Sequence, residues 1–392
     1  MSLCKLSSSK LLPEAEDLSI QAQKLCSLSN ESFICTIGSN LLYSIESKIL
    51  SDDSNLPNTK KNIQMAKSSQ RVISTHLTEH ASPIQSLSRV KIQNFDSIFA
   101  IDSTGCISCN KFENDSFTIK DSYIVSNPKF YFNSGWTGLS TKSFSFRLDA
   151  CCYLSKQIIT CDINTGMIIN TKNTYKPPTA IKCIDENVTA VAETGIISIW
   201  DDRSRENDGC CYREPIVNGK EPIWTICASI DYDVLVAGAD RNIYVYDQRN
   251  WKTKVKCCTP CKFDVVKLIP SFVKKDNYYV AGNDNEIFLY DISLDKFNAR
   301  PPHEKLESKV PLKINEEVPE KVYIPLKELP DNSLSTGKLK ISHARGFKGE
   351  SKWMGIDVYK DEINSSEVLH SICDVGNVYV LKDSNKMAPI TK

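Results

Sequence analysis

The chain has 392 residues, 41% of them hydrophobic, and its 48 Lys and Arg residues balance its 48 Asp and Glu residues. That balance argues against nucleic acid or an anionic membrane as the default partner, while the apolar fraction suffices for a core. No run of about 18 apolar residues stands together, and the opening MSLCKLSSSKLLPEAEDLSI holds no apolar stretch of signal-peptide length, so the expectation is a soluble intracellular protein, cytoplasmic or also nuclear.

In chain order, the first strand pair expected is SFICTI and LLYSI around Gly38, followed by the polar residues 51–69 (with DDSNLPNTKKN), which read as a loop. SIFAI and CISCNKF then flank the turn Asp102-Ser103-Thr104-Gly105, and CCYL and QIITCD follow, with a turn at Gly166. Three compact units come next. The first is TAIKCI, VTAVAE and IISIWD; the second is IWTICAS, DVLVAGA, NIYVYD and KTKVKC; the third is FDVVKLI, YYVAG and EIFLYD. Residues 296–350 alternate Lys, Glu and Pro, too proline-punctuated for one helix and too charged for a core strand. Within them VYIPL (322–326) is apolar and reads either as a segment packed on its own blade or as a docking motif for a partner. EVLHSIC and NVYVLKD end the pattern.

IISIWD (196–201) returns 46 residues later as NIYVYD (242–247) and 44 residues after that as EIFLYD (286–291). A period of about 40–45 residues ending in an apolar strand and an Asp is the mark of WD40 blades, four antiparallel strands around a central channel. Seven third strands can be counted, spaced 65, 51, 39, 46, 44 and 91 residues apart. The reading is an all-β, seven-bladed WD40 β-propeller over residues 1–392 as a single domain, with a long insertion before the last blade. A strand from residues 387–390 or from the first twenty would close the ring.

Chemistry-bearing motifs are absent: the sequence has no GxSxG, GxxxxGK[ST], HExxH or GxGxxG, and its five histidines are scattered. The 16 cysteines read as thiols of a reducing compartment. Cys106 and Cys109 lie along a strand where i and i+3 face opposite ways, and Cys258-Thr-Pro-Cys261 is too far from them to complete a metal set. No catalytic residue, cofactor, metal or small-molecule substrate is expected. His80 stands where WD40 blades place a Gly-His dipeptide whose imidazole bonds an Asp of the following turn, here Asp102; the sequence has no Gly-His dipeptide. Asp201, Asp247 and Asp291 end third strands as structural residues.

Trp200-Asp201-Asp202-Arg203 and Tyr246-Asp247-Gln248-Arg249 share the pattern [Trp/Tyr]-Asp-x-Arg, which would place Arg203 and Arg249 on one end of the ring. The structural expectation is that each Arg stitches to a neighbouring blade's Asp or carbonyls; the functional one is adaptor docking, as in substrate receptors of cullin-type ubiquitin ligases with similar motifs. Trp136, Trp224 and Trp251 sit at strand or loop boundaries and are candidates for blade packing or for a partner hot spot, whereas Trp353 opens a first strand and packs in the core.

From Trp136 to Ile292 the run QIITCDINTG, AIKCIDENVTAVAETGIISIWDDRS, NIYVYDQRNW and YYVAGNDNEIFLYD resembles the WD repeat-containing protein 73 family. The resemblance implies a non-catalytic scaffold in spindle and microtubule organisation and the cell cycle, with Integrator endonuclease-module subunits or microtubule-associated proteins as partners. Small propeller nucleoporins share much of the same pattern.

Overall fold

The computed structural model describes residues 4–14, 23–37, 40–49, 63–65, 68–92, 95–125, 135–142, 145–204, 206–216, 220–229, 233–258, 261, 263–274, 276–292, 346–361 and 366–383. Strand β1 (Cys4–Lys10) precedes blade one, which comprises β2 (Leu25–Ser27), β3 (Ser32–Cys35), β4 (Leu41–Ile49) and, after β5 (Ile63–Met65), β6 (Ser68–Leu77). Blade two is β7 (Ile84–Ile92), β8 (Phe95–Asp102), β9 (Ile107–Glu113) and β10 (Ser116–Val125). Blade three is β11 (Thr137–Lys142), β12 (Arg147–Cys152), β13 (Gln157–Asp162) and β14 (Ile168–Asn173). Blade four is β15 (Pro178–Cys183), β16 (Val188–Glu193), β17 (Ile196–Asp201) and β18 (Cys210–Pro215). Blade five is β19 (Ile223–Ala228), β20 (Asp233–Gly238), β21 (Ile243–Asp247) and β22 (Asn250–Cys258). Blade six is β23 (Val265–Pro270), β24 (Asn277–Gly282), β25 (Glu286–Asp291) and β26 (Gly346–Lys348). Blade seven is β27 (Trp353–Asp361), β28 (Ser366–Cys373) and β29 (Asn377–Asp383), completed by β1. The first strands touch in sequence around the ring, β27 against β2, so the seven sheets close a propeller.

Blade five shows why the middle strands read as unbroken apolar runs. Alternate residues of a strand point to opposite faces. Val234 and Val236 of β20 therefore pack with Ala190, Ile197 and Ile199 of blade four, while Leu235 and Ala237 pack with Val280, Phe288 and Tyr290 of blade six. Each central strand serves two interfaces. Cys151 and Cys152 follow the same rule, one in the cluster with Trp200 and the other in the cluster with Phe99.

Closure comes from the N-terminal strand: β1 pairs antiparallel with β29 over seven residues, Cys4↔Asp383 to Lys10↔Asn377. The Leu11 and Leu12 amides donate to the Gly376 carbonyl at 3.3 and 3.2 Å. Gly376 has φ +83°, and a Cβ there would fall 2.0 Å from the Leu12 oxygen, so the latch requires glycine on both counts. Residues 387–390, the other closure expected, lie outside the described residues.

The two expected insertions need revision. Within 51–69, Ile63–Met65 forms β5, which crosses from blade one to blade seven and pairs parallel with Cys4–Leu6; residues 51–62 lie outside the described residues. The longer insertion precedes the last blade, as expected, and has a more exact place inside blade six. Gly346–Lys348 pairs with β25 as Glu286↔Lys348 to Phe288↔Gly346, so the insertion interrupts blade six between its third and fourth strands. Residues 293–345, with VYIPL, lie outside the described residues.

Because the strands alternate in direction, first-to-second and third-to-fourth connections leave one face of the ring, here the lower. Second-to-third and blade-to-blade connections leave the upper face.

Candidate protein-interaction surface

The third-strand aspartates organise the lower face. In blades three, four and five, Asp162, Asp201 and Asp247 each accept the amide two residues on, from Asn164, Arg203 and Arg249, at 2.9 Å in every case. This is a side-chain turn closed by the aspartate itself. Asp291 ends β25 and is followed by Ile-Ser-Leu, so blade six has no arginine at the corresponding place.

Arg203 and Arg249 adopt one geometry. Each Nε donates to the Oδ1 of the aspartate two residues before it at 2.9 Å, and each Nη2 to Oδ2 at 2.7 Å. The guanidinium side chains are 67% and 70% exposed. Arg249 holds the Asp247 carboxyl down to about 2, and Arg203 lowers Asp201 likewise. Among the described residues Arg203 makes no inter-blade stitch of the kind expected: a two-residue spacing favours folding back over reaching across, and the planar fork then matches its own carboxylate.

The stitch is made by the residue between them. Asp202 reaches blade three, where it accepts bonds from Lys142 Nζ at 2.7 Å and Lys172 Nζ at 2.8 Å, with Arg147 Nη1 at 3.7 Å. Lys142 is fully buried and also lies 3.1 Å from Asp149, whose oxygens accept Thr160 Oγ1 at 2.8 Å and Thr189 Oγ1 at 2.5 Å. Burial would raise the Asp202 carboxyl, but the two ammonium groups outweigh it and hold it below the usual carboxylate range. Other junctions use the same device: fully buried Glu367 of blade seven accepts Ser271 Oγ, the Phe272 amide and Tyr279 Oη of blade six at 2.8–2.9 Å.

His80 Nδ1 stands 3.1 Å from Asp102 Oδ2, and its Nε2 lies 2.8 Å from Ser108 Oγ, which in turn accepts Asn110 Nδ2 at 2.9 Å. Asp102 Oδ1 accepts the amides of Thr104 and Cys106 and the Thr104 hydroxyl at 2.9, 3.0 and 2.6 Å. Despite burial, the bonds from His80 and Thr104 hold the Asp102 carboxyl low. His80, Asp102 and Cys106 place their ligand atoms within 4.8 Å of one another, the spacing of a metal set. The histidine and carboxylate atoms also bond protein groups, Ser108 Oγ and the amides of Thr104 and Cys106 among them, and burial followed by the Asp102 charge pushes the Cys106 thiol up to about 11.

The tryptophans are dispersed. Trp136 precedes β11 and packs on Cys151 and Trp200; Trp224 lies in the innermost strand of blade five; Trp251 lies in its outermost strand, 6.3 Å from the Tyr246 ring. Trp353 is buried. Trp224 and Trp251 occupy opposite radial ends of one blade, so the structure gathers these rings into no single patch with the arginines. Sequence reading missed Asp202, Lys142, Lys172, Asp149, Glu193 and Glu367. Only Asp202 carried a signal, its place inside the repeated turn motif.

No family model matches the chain, and no curated protein matches it. Solved structures do. A chain of the mitotic checkpoint complex is 11% identical with a TM-score of 0.60, covering 96% of this chain and 91% of that one. Raptor from Chaetomium thermophilum is 9% identical with a TM-score of 0.60, covering 97% of this chain and 29% of that one. Sqt1 from Saccharomyces cerevisiae is 11% identical with a TM-score of 0.54, covering 92% and 84%. What is shared at these identities is the seven-bladed propeller fold.

Proposed function

We propose that this propeller is a non-catalytic scaffold that binds other proteins. The observation that carries the reading is the division of labour among its polar groups: buried carboxylates are committed to blade junctions, while paired arginines and apolar side chains stand exposed on the two faces. A rigid ring with fixed, exposed loops suits protein recognition because little ordering remains to be done on binding. That one similar structure comes from a multiprotein complex supports the same reading. Affinity purification of the full chain with mass spectrometry tests it. A reproducible set of stoichiometric partners is expected; recovery of the chain alone overturns it.

The resemblance of the central repeats to the WD repeat-containing protein 73 family supports a finer placement in spindle and microtubule organisation or in Integrator endonuclease-module assembly, with cytoplasmic, spindle-associated or nuclear residence. The matched exposed pairs Asp201–Arg203 and Asp247–Arg249 favour a second reading, an adaptor-docking rim of a cullin-type ubiquitin ligase receptor. A small propeller nucleoporin is the third. The purified partners separate the three: Integrator or microtubule-associated proteins, the ligase adaptor, or nuclear-pore subunits.

A further inference from the structure

The first strands of blades four, six and seven bring three charged side chains to one place. Lys182 lies on β15, Lys267 on β23 and Asp357 on β27. Blades four and seven share no junction, so within the closed ring the space that all three border is the central channel. Their charges reach one another there: Lys182 and Asp357 both act on Lys267, and Lys182 and Lys267 both act on Asp357. Cys227 of β19, in the blade between the two lysines, is acted on by both.

Neither ammonium group is committed elsewhere. Among the described residues Lys182 and Lys267 make no hydrogen bond and no ion pair. Asp357 does not neutralise them both. Its Oδ2 accepts the Ser27 amide of blade one at 2.7 Å, and burial raises its carboxyl despite the two ammonium charges, as expected of a carboxylate that stands off from them. The charges on the blade-two side cancel, since Arg89 Nε holds Asp96 Oδ1 at 2.6 Å while its Nη1 donates to Ser27 O at 2.8 Å. Cys227 adds no charge, because burial pushes its thiol up to about 12. Burial, followed by the Lys182 charge, lowers the Lys267 ammonium to about 8.

An ammonium drawn out of bulk water is ordinarily matched by a counter-charge. Lys142 and Lys172 find theirs in Asp202, whereas Lys267 is half-buried beside a second ammonium with no bonded carboxylate among the described residues. We propose that the central channel binds a small tetrahedral oxyanion between Lys182 and Lys267. Each lysine brings three N–H donors, and the several oxygens of sulfate or phosphate can accept from both side chains at once. Lys182 is exposed, which leaves the site open to solvent. The site goes beyond the scaffold reading and does not depend on it. A bound anion would stabilise the ring by mass action.

Equilibrium dialysis of the full chain against radiolabelled sulfate, with ionic strength held by chloride, is the test. Sulfate keeps its charge across neutral pH, so any pH dependence belongs to the protein. One saturable site with a Kd of about 1 mM or tighter is expected at neutral pH, and Lys182→Met and Lys267→Met should each bind at least about tenfold more weakly. Arg71→Ala, which removes an exposed cation from the outermost strand of blade one, should bind as the parent does. Binding to the parent should weaken as pH rises through about 8, where Lys267 gives up its proton, and Lys267→Met should lose that dependence. Lys267→Met should also melt no lower than the parent in chloride, since the side chain it removes has no bonded carboxylate among the described residues to leave behind. Inorganic phosphate should displace the label. Displacement by glycerol 3-phosphate as well would identify an attached phosphate group as a ligand, and its failure a free ion. No saturable binding, equal binding by the two lysine variants, an equal loss in Arg71→Ala, or a flat pH profile in the parent would each overturn the proposal. A large drop in the melting temperature of Lys267→Met would do so too, by showing that the ammonium is matched within the protein.

Discussion

The turns at 200–203 and 246–249 look like copies, yet they do different work. Their arginines and terminal aspartates share two side-chain bonds, at 2.9 and 2.7 Å in both, to which Arg249 Nε adds a third to Asp247 Oδ2 at 3.2 Å. The residue between them differs: Asp202 joins two buried lysines of the preceding blade, whereas blade five has uncharged Gln248 there. The repeated residues of the motif are therefore local turn chemistry, and the unrepeated one couples blades. Exposure explains the ranking, since a pair in water gains little that solvent does not also supply, while a buried ammonium that loses one of its carboxylates has no water to replace it.

The sharpest way to break this contrast is to remove the middle residue from each turn. Asp202→Ala should cost about 3 kcal/mol, because fully buried Lys142 and nearly buried Lys172 lose a shared partner, whereas Gln248→Ala should stay within about 0.5 kcal/mol. Urea denaturation of both variants measures the difference; equal values would refute the coupling role. Replacing His80 by Ala gives a second buried polar site for calibration. It leaves Asp102 and Ser108 without their shared partner and should cost about 1–3 kcal/mol.

Acid should reveal the same asymmetry. Asp202 titrates below its unfolded range, so at pH values between the two the unfolded chain binds more protons, and the carboxylate's contribution is lost as pH falls through the usual carboxylate range and below. Asp202→Asn should flatten the acid limb of a stability–pH profile measured by thermal melting, and an unchanged limb would count against the junction. The smallest effects belong to the arginines: Arg203→Ala and Arg249→Ala should each lower stability by about 0–1 kcal/mol, and less in high salt. A larger loss at Arg203 would restore the stitching role that its bonds to Asp201 argue against.

Most of the fold was legible because blades repeat. All seven third strands stand where the apolar runs placed them, since a central strand buried on both sides leaves an unbroken signature that a single sequence carries. Blade six hid its fourth strand: Gly346–Lys348 is three residues long and separated from its partner β25 by more than fifty residues of charged sequence. The relation between His80 and Asp102 was readable from its place before a first strand. The junction at Asp202 was not. Lys142 and Lys172 lie 60 and 30 positions away, and only the register of one blade against the next brings them into contact. Glu193 and Glu367 were hidden for the same reason, being single carboxylates at strand ends whose partners are backbone amides and hydroxyls that no motif records.

The register of β1 also fixes how the ring yields to mechanical force. Cys4 lies opposite Asp383, so a load drawn between those two residues pulls on adjacent ends of an antiparallel pair and falls on one rung at a time. The latch peels from that end like a zipper. β5 runs parallel to β1 with Ile63 beside Cys4, so it grips the very rungs that such a load would open first. A tether at the start of β1 therefore meets its resistance in the strand that blade one lends to blade seven.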